Sequence, residues 1–131
     1  MDFLPEIFEV RQVFYGLGGV NKLIYQDGTL IFEWIPDLKI ETPRKMDITP
    51  LKEEWISFWN ELEDIDAWTW EEEYVPTPNI DMDGNIVDIH ISFKYLKINT
   101  HCWCENPPGF KDFYYALYEL TDLHFDVPGG I

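Results

Sequence analysis

The chain has 131 residues, of which 46% are hydrophobic and 17% aromatic, and its 25 Asp and Glu against 9 Lys and Arg give a net charge of −16. This length predicts a single domain spanning residues 1–131, with a core that needs neither disulfides nor a metal. The apolar content argues against a disordered acidic chain, and the charge argues against binding to nucleic acid or anionic membranes. The start, MDFLPEIFEVRQVF, has no basic leader and no long apolar run, which predicts a cytoplasmic protein without a membrane span.

The N-terminal part of the chain predicts three strands. Residues 8–15 supply the first, and KLIYQDGTLIFEW contains two alternating apolar runs around Asp27 and Gly28. This dipeptide suits the type I′ turn of a β-hairpin, because both central positions need positive φ. The turn places Lys22 opposite Glu33 as a cross-strand ion pair. The polar, proline-containing segment 36–47 is predicted to be a connection.

Two segments predict helices. In TPLKEEWISFWNELEDI, Thr49 suits the N-cap and Pro50 the first helical position, which predicts a helix over 50–63. Its apolar residues recur at helical spacing: Leu51, Trp55, Phe58, Trp59 and Leu62. Its acidic residues fall largely on the other side: Glu53, Glu54, Glu61 and Glu63. A similar stripe in GFKDFYYALYEL predicts a closing helix over 110–121.

Between the helices, the pattern predicts three further strands. The run DAWTWEEEYV alternates as a strand with Trp68, Trp70 and Tyr74 on one side, so Glu71 and Glu73 should project together from the other. The later run NIVDIHISFKYLKINTHCWCE predicts a second hairpin.

That second hairpin is predicted to turn near Tyr95 and Leu96, with Lys94 opposite Lys97. This register directs eight residues to the core: Val87, Ile89, Ile91, Phe93, Ile98, Thr100, Cys102 and Cys104. It directs four outward: Asp88, His90, His101 and Trp103. The resulting order, β-β-β-α-β-β-β-α, predicts an α+β fold in which an antiparallel sheet carries two helices on one face.

The combination of WISFWNELEDIDAWTWEEEY, a following Asp-Gly, a strand pair and a closing aromatic helix resembles a loose group of small, uncharacterised bacterial proteins. The resemblance spans most of the chain and implies a fold rather than an activity. Members of that group often carry a Gly-x-Asn-x-Tyr-Pro run before the last helix. This chain departs from that run, with Cys102, Cys104, Asn106 and Pro107 at the corresponding positions.

The stretch NIDMDGNIVDIH, residues 79–90, partly fits a twelve-residue calcium loop. Asn79, Asp81 and Asp83 fill positions 1, 3 and 5, and Gly84 fills position 6. Position 12 has His90 instead of a bidentate Glu, and the flanks have the pattern of strands. The favoured interpretation is a turn ahead of a strand, with weak calcium binding as the alternative.

Other patterns typical of metal sites or catalysis are incomplete. Asp88, His90 and His101 could share an outward face, with His101 opposite His90, and two His with one carboxylate can hold iron. A surface pair is the favoured reading of these residues. Cys102 and Cys104 stand two apart and predict reduced, buried thiols without metal. Carboxylate pairs at a hydrolytic separation are expected by chance among 25 acids. No catalytic residue, metal or cofactor is assigned.

The negative charge is concentrated in the middle of the chain, where residues 53–93 contain twelve Asp and Glu and no Lys or Arg. A dense negative surface accelerates association with a positive cleft, which predicts an interaction module that binds, and inhibits, a basic protein partner. Bacterial immunity proteins and phage nucleic-acid mimics resemble this description. The predicted contact residues are Glu53, Glu54, Glu61, Glu63, Glu71, Glu73 and Trp103. The alternatives are a small metal-binding protein or hydrolase using Asp/His or paired carboxylates, and a solvated structural domain without a charge-based partner.

Overall fold

The computed structural model describes residues 2–14, 19–36, 44–75, 86–103 and 105–130. The strands are β1 (Ile7–Val13), β2 (Val20–Gln26), β3 (Thr29–Ile35), β4 (Arg44–Ile48), β5 (Glu73–Tyr74), β6 (Ile86–Phe93) and β7 (Leu96–Trp103). The α-helices are α1 (Lys52–Asp64) and α2 (Phe110–Thr121). The predicted α+β class is therefore confirmed.

The strands form one sheet in the order β4-β3-β2-β1-β6-β7-β5. Every neighbouring pair is antiparallel except β5 and β7, which run parallel, so the prediction of a wholly antiparallel sheet is wrong at that edge. The predicted element order is also one strand short, since Arg44–Ile48 forms β4 where a connection was expected. β4 pairs with β3 at the sheet edge and its side chains are largely exposed, so it lacks the apolar alternation that marks a half-buried strand. Residues 37–43 of the predicted connection lie outside the described residues.

The first hairpin has the predicted turn and register. Asp27 and Gly28 have φ angles of 50° and 86°, as a type I′ turn requires. Lys22 lies opposite Glu33 as predicted, but Glu33 forms its ion pair with Lys45 of β4, whose Nζ is 3.9 Å from Glu33 Oε2. The predicted ion pair between Lys22 and Glu33 is therefore wrong among the described residues, although the register is correct.

The second hairpin turns one residue earlier than predicted, at Lys94 and Tyr95. Ser92, rather than Lys94, lies opposite Lys97. Because this register differs by two residues, every side chain keeps its predicted face. The predicted core residues that are described are all buried: Val87, Ile89, Ile91, Phe93, Ile98, Thr100 and Cys102. Cys104 lies outside the described residues.

The two helices pack on the same face of the sheet through aromatic rings. Trp55 of α1 is fully buried and lies edge-to-face with Phe8 of β1, with 5.8 Å between ring centroids. Phe58 of α1 lies 5.6 Å from Phe8 and 6.3 Å from Phe113 of α2. These contacts fix α1 against the sheet and against α2, while the opposite face of the sheet carries no helix of the described residues.

Helix α1 begins later than predicted. Its N-cap is Leu51, so Thr49 and Pro50 lie before the helix. The Glu54 side chain explains the start, because its Oε1 accepts a hydrogen bond of 2.7 Å from the Leu51 N–H and satisfies an N-terminal donor. Helix α2 has the predicted bounds, and Asp122 follows it in the left-handed conformation with φ 62°.

The predicted strand over residues 66–75 is wrong for most of its length. Residues Ala67–Thr69 form a short 3₁₀ helix, and only Glu73 and Tyr74 belong to a strand. Asp66 precedes the 3₁₀ helix in the left-handed conformation, with φ 57°, which interrupts an extended chain.

The two tryptophans of that segment contact the helices. The Trp68 ring stacks near Trp59 of α1, with 6.2 Å between centroids, and the Trp70 ring lies 5.5 Å from Phe113 of α2. The Trp70 indole N–H donates to the Pro108 carbonyl at 3.0 Å. Their alternating spacing therefore reflects packing on two different helices, not one face of a strand.

A buried asparagine ties the C-terminal segment to the sheet. The Nδ2 of Asn21, on β2, donates to the carbonyls of Phe125 and Val127 at 3.0 and 2.8 Å. Its Oδ1 accepts the Gly129 N–H at 3.0 Å. Asn21 is 0% exposed, and these bonds satisfy a polar group that would otherwise be costly to bury.

Gly19, just before β2, lies in a space that only glycine fits. Its φ is 96°, and a Cβ there would lie 2.5 Å from the Trp34 ring and 2.8 Å from the Ile35 carbonyl oxygen. Gly28 also has positive φ, but a Cβ there would meet no atom within 4 Å. Backbone conformation requires glycine at both positions, and packing requires it only at the first.

Candidate functional site

An acidic groove of about 170 Å³ lies between α1 and α2. Its lining residues are Glu53, Glu54, Ser57, Phe58, Glu61, Ala116 and Glu119. Four of these residues are carboxylates, none is a cation, and the apolar members are the helix-facing Phe58 and Ala116. The groove therefore combines an apolar floor with negatively charged walls.

Helical spacing explains how α1 builds one wall of this acidic groove. Glu53, Ser57 and Glu61 are each four residues apart, so they form one line along the helix next to its core-facing stripe. The Glu54 carboxylate also lines the acidic groove, although one of its oxygens accepts the Leu51 N–H. No Lys or Arg of the described residues forms an ion pair with these carboxylates.

Charge is distributed unequally between the two sides of the sheet. The helical segments 52–66 and 110–126 contain only two basic residues, Lys52 and Lys111. Their acidic residues are Glu53, Glu54, Glu61, Glu63, Asp64, Asp66, Asp112, Glu119, Asp122 and Asp126. The open face of the sheet is nearly balanced, with outward-facing Glu9, Arg11, Lys22, Glu33, Lys45, Asp47, Glu73, Asp88 and Lys97. The negative field is thus strongest on the helical side.

The structure brings together only some of the predicted contact residues. Glu53, Glu54 and Glu61 meet in the acidic groove, and Glu63 is exposed in the last turn of the same helix. The sequence analysis missed Glu119, because only the packing of α2 against α1 places it beside the other carboxylates.

The acidic residues around β5 lie at the edge of the sheet. Glu71, Glu72 and Glu73 are all exposed, so the predicted alternation between an open and a covered side does not hold. The backbone carbonyl of Glu72 accepts the His101 N–H at 2.8 Å, and that of Glu71 accepts the Thr100 hydroxyl at 2.8 Å. The backbone is therefore anchored to β7, while the carboxylates face solvent.

Trp103, the predicted aromatic contact, lies on the face of the sheet opposite the helices. It is paired with Ile86 of β6 and is partly buried. Its indole Nε1 is buried and has no hydrogen-bond partner among the described residues. Trp103 therefore does not share a surface with the acidic groove.

The three residues considered as an alternative iron site do not converge, whereas Asp88 and His101 form a pair, as the favoured interpretation has it. His101 lies opposite Asp88, not His90, and its Nδ1 is 2.5 Å from Asp88 Oδ1. The Nδ1 of His90 instead lies 3.0 Å from Asn99 Oδ1. Among the residues that the structure describes, no group of three or more His, Cys, Asp or Glu side chains is arranged to hold a metal ion. The two-residue register difference explains why the pairing was predicted wrongly.

Of the stretch 79–90, predicted to be a turn ahead of a strand, residues 79–85 lie outside the described residues, and the rest belong to β6, as the strand part of that prediction has it. The turn and the alternative of weak calcium binding are still predictions from sequence. The last residue of the stretch, His90, is exposed on the open face of the sheet.

Cys102 is a buried free thiol, as the sequence predicted. Burial, and to a smaller extent the nearby Asp88 carboxylate, raise its pKa from 9.0 to about 12. Burial likewise raises the pKa of Tyr114, with Asp126 and Cys102 adding to the effect, and the Tyr114 hydroxyl donates to Gln12 Oε1. Both groups are protonated at neutral pH, so Cys102 lacks the thiolate that a nucleophile needs.

A second concave site, which the sequence analysis missed, lies at the other side of α1. This pocket, the aromatic pocket, measures about 590 Å³. Its lining residues are Asp2, Phe3, Lys52, Ile56, Trp59, Asn60, Phe93 and Lys94. The sequence indicates this pocket only through the four-residue spacing of Lys52, Ile56 and Asn60, which places these three lining residues on one side of α1.

In comparisons with known proteins, neither a family model nor a curated protein matches this sequence. Within the described part of the chain, neither helix has the length and apolar character needed to cross a membrane.

Proposed function

We propose that this protein is an interaction module whose acidic groove binds a basic segment of a partner protein. The observation that carries the proposal is the convergence of four carboxylates, from both helices, on a groove without a lining cation. Like charges held this close repel one another, so each lowers the stability of the folded chain slightly. A bound Lys or Arg side chain relieves this repulsion.

The shape of the acidic groove favours side chains of this kind. Lys and Arg carry long apolar stems that pack on apolar surface while the charged end reaches a carboxylate. Phe58 and Ala116 are the apolar residues that line the acidic groove together with Glu53, Glu61 and Glu119. About 170 Å³ admits one or two such side chains, so the occupant is an exposed basic segment rather than a folded domain.

Inhibition follows when the exposed basic segment borders the partner's own functional cleft. A protein that acts on an anionic substrate presents positive residues there, and an acidic surface competes for them. Electrostatic attraction of this kind accelerates association and weakens with salt, because the Debye length falls from about 10 Å at 0.1 M to about 3 Å at 1 M.

The test compares two variants with the same change in net charge. The first removes the charges of the acidic groove by Glu53→Gln, Glu61→Gln and Glu119→Gln, while Glu54 is kept because it caps α1. The control carries Glu9→Gln, Asp27→Asn and Asp47→Asn, which lie away from the helices. Proteins captured from an extract of the native host at low salt are identified, and their affinity is measured by calorimetry at two salt concentrations.

We expect a basic partner that binds the wild type and the control equally and binds the groove variant about tenfold more weakly, since three exposed charge contacts of up to about 1 kcal/mol each are weakened. If no partner binds at low salt, or if both variants lose affinity equally, the helical side is a solvated surface and the proposal fails.

A further inference from the structure

The aromatic pocket is built by three segments that are distant in sequence. Asp2 and Phe3 come from the N-terminal segment, and Phe93 and Lys94 from the end of β6 and its turn. Helix α1 contributes the residues at four-residue spacing Lys52, Ile56 and Asn60. The residues that follow each of them in sequence, Glu53, Ser57 and Glu61, line the acidic groove. One helix therefore presents a cation to the aromatic pocket and carboxylates to the acidic groove.

The floor of the aromatic pocket is formed by the edges of two stacked rings. The rings of Trp59 and Phe93 are stacked, with centroids 4.1 Å apart and planes inclined by 7°. The Trp59 indole N–H donates to the Phe3 carbonyl at 2.8 Å, which ties the N-terminal segment to this floor. Trp59 and Phe93 are 7% and 9% exposed, so a ligand would contact ring edges without displacing a core side chain.

The rim of the aromatic pocket carries two ammonium groups. Lys52 Nζ lies 5.7 Å from the Phe3 ring centroid, and Lys94 Nζ lies 5.2 Å from the Phe93 ring centroid. Neither lysine forms an ion pair with a carboxylate of the described residues, although the Asp2 carboxylate also lines the aromatic pocket. In a chain with net charge −16, a pocket lined by two lysines and one carboxylate is a local positive site.

Lys94 reaches the aromatic pocket from the turn between β6 and β7. Lys94 has φ 56°, a left-handed conformation that favours glycine, because it occupies the tight turn between β6 and β7. The next residue, Tyr95, is 99% exposed and does not line the aromatic pocket.

We propose that the aromatic pocket binds a small organic anion with a flat apolar body, of the class of aromatic carboxylates. About 590 Å³ falls within the range of roughly 300 to 1,000 Å³ that is typical of small-molecule sites. The apolar body would lie against Phe3, Trp59 and Ile56, and its carboxylate would lie between the two lysine ammonium groups. Asn60 adds an amide that can donate to the same carboxylate. This site is independent of the acidic groove and of its proposed partner.

The first experiment compares two probes that differ mainly in charge. The ¹⁵N-labelled wild-type protein is titrated with 1-naphthoate and with the neutral 1-naphthalenemethanol, and binding is followed by NMR. We expect saturable shifts at the Trp59 indole and at the amides of Lys52 and Lys94, with at least fivefold tighter binding of the anion. Absence of saturable binding at millimolar 1-naphthoate, equal affinity for both probes, or shifts centred elsewhere would overturn the proposal.

The second experiment changes the protein. The double variant Lys52→Gln, Lys94→Gln should bind 1-naphthoate about tenfold more weakly and lose its preference over the neutral probe, as two exposed charge contacts are removed. The matched control, Lys45→Gln with Lys97→Gln, removes the same charge from the open face of the sheet and should change the affinity less than twofold. An equal loss in both variants would mean that net charge, not this pocket, attracts the anion.

Discussion

Replacing Asn21 by alanine should detach the C-terminal segment from the sheet. The change removes three side-chain hydrogen bonds to backbone groups of Phe125, Val127 and Gly129. Each such bond contributes roughly 0.5–1.5 kcal/mol to stability, so we expect the free energy of unfolding to fall by about 3 kcal/mol. Unsatisfied carbonyls left in a buried site would raise this cost, and water entering the vacated space would lower it.

The stability loss is measured by urea denaturation, with circular dichroism and tryptophan fluorescence as the two signals of unfolding. Amide hydrogen exchange adds a local readout, because Gly130 N–H donates to the Val127 carbonyl at 2.9 Å within the segment that Asn21 holds. The Gly130 amide should exchange faster in Asn21→Ala than the loss of global stability alone requires.

The matched control is Asn99→Ala, the same substitution at an exposed site. Within the described part of the chain, the Asn99 side chain makes one hydrogen bond, to His90, on the open face of the sheet. Its loss should cost no more than about 0.5 kcal/mol, as is usual for surface positions. The reasoning is refuted if both variants lose similar stability, or if exchange in the C-terminal segment of Asn21→Ala is unchanged.

Three further predictions concern a turn, a thiol and the acidic edge. Gly19→Ala should destabilise the protein by at least about 2 kcal/mol more than Gly28→Ala, since both incur the left-handed strain of about 1–2 kcal/mol but only the first meets a tryptophan ring; equal urea midpoints would contradict this. Because burial raises the pKa of Cys102 from 9.0 to about 12, its contribution to stability is complete below pH 9 and is lost as the pH rises toward 12. The urea concentration at the unfolding midpoint should therefore decrease as the pH is raised from 8 to 10, and it should decrease less in Cys102→Ala than in the wild type. An identical decrease in both proteins would rule out the thiol as a cause. Changing Glu71 and Glu73 to Lys should leave the fold intact or slightly more stable, yet slow association with the proposed basic partner in stopped-flow measurements; an unchanged rate would restrict recognition to the acidic groove.

Local sequence patterns correctly predicted the elements that depend on nearby residues, namely helix α2 and the first hairpin. The apolar stripe of α2 predicted a helix with the observed bounds, and Asp27-Gly28 predicted the hairpin turn because both residues accept positive φ. Strand β4 was missed because an exposed edge strand is held by backbone pairing and carries no apolar alternation. The run from Trp68 to Trp70 was misread because aromatic residues that pack on different helices can mimic the alternation of a strand.

The candidate sites were predictable only in part, for a related reason. The line of Glu53 and Glu61 follows from helical spacing, whereas Glu119 joins it only through the packing of the two helices. The aromatic pocket was missed because Phe3 and Phe93 meet α1 only in the folded chain. Sites assembled from distant segments leave little local signal, even when each residue is correctly assigned to an element.

The central position of β1 has a consequence for the order of events during synthesis. β2, β3 and β4 follow β1 closely in the chain, but its other neighbour, β6, begins only at Ile86. Until that strand leaves the ribosome, one edge of β1 has no partner, and such an edge can pair with other chains. The hydrogen bonds of Asn21 form later still, because their partners Phe125 and Gly129 are near the end of the sequence. Contacts between segments so far apart form slowly, so the nascent chain spends this interval with one edge of β1 unpaired and the aromatic residues beneath it exposed.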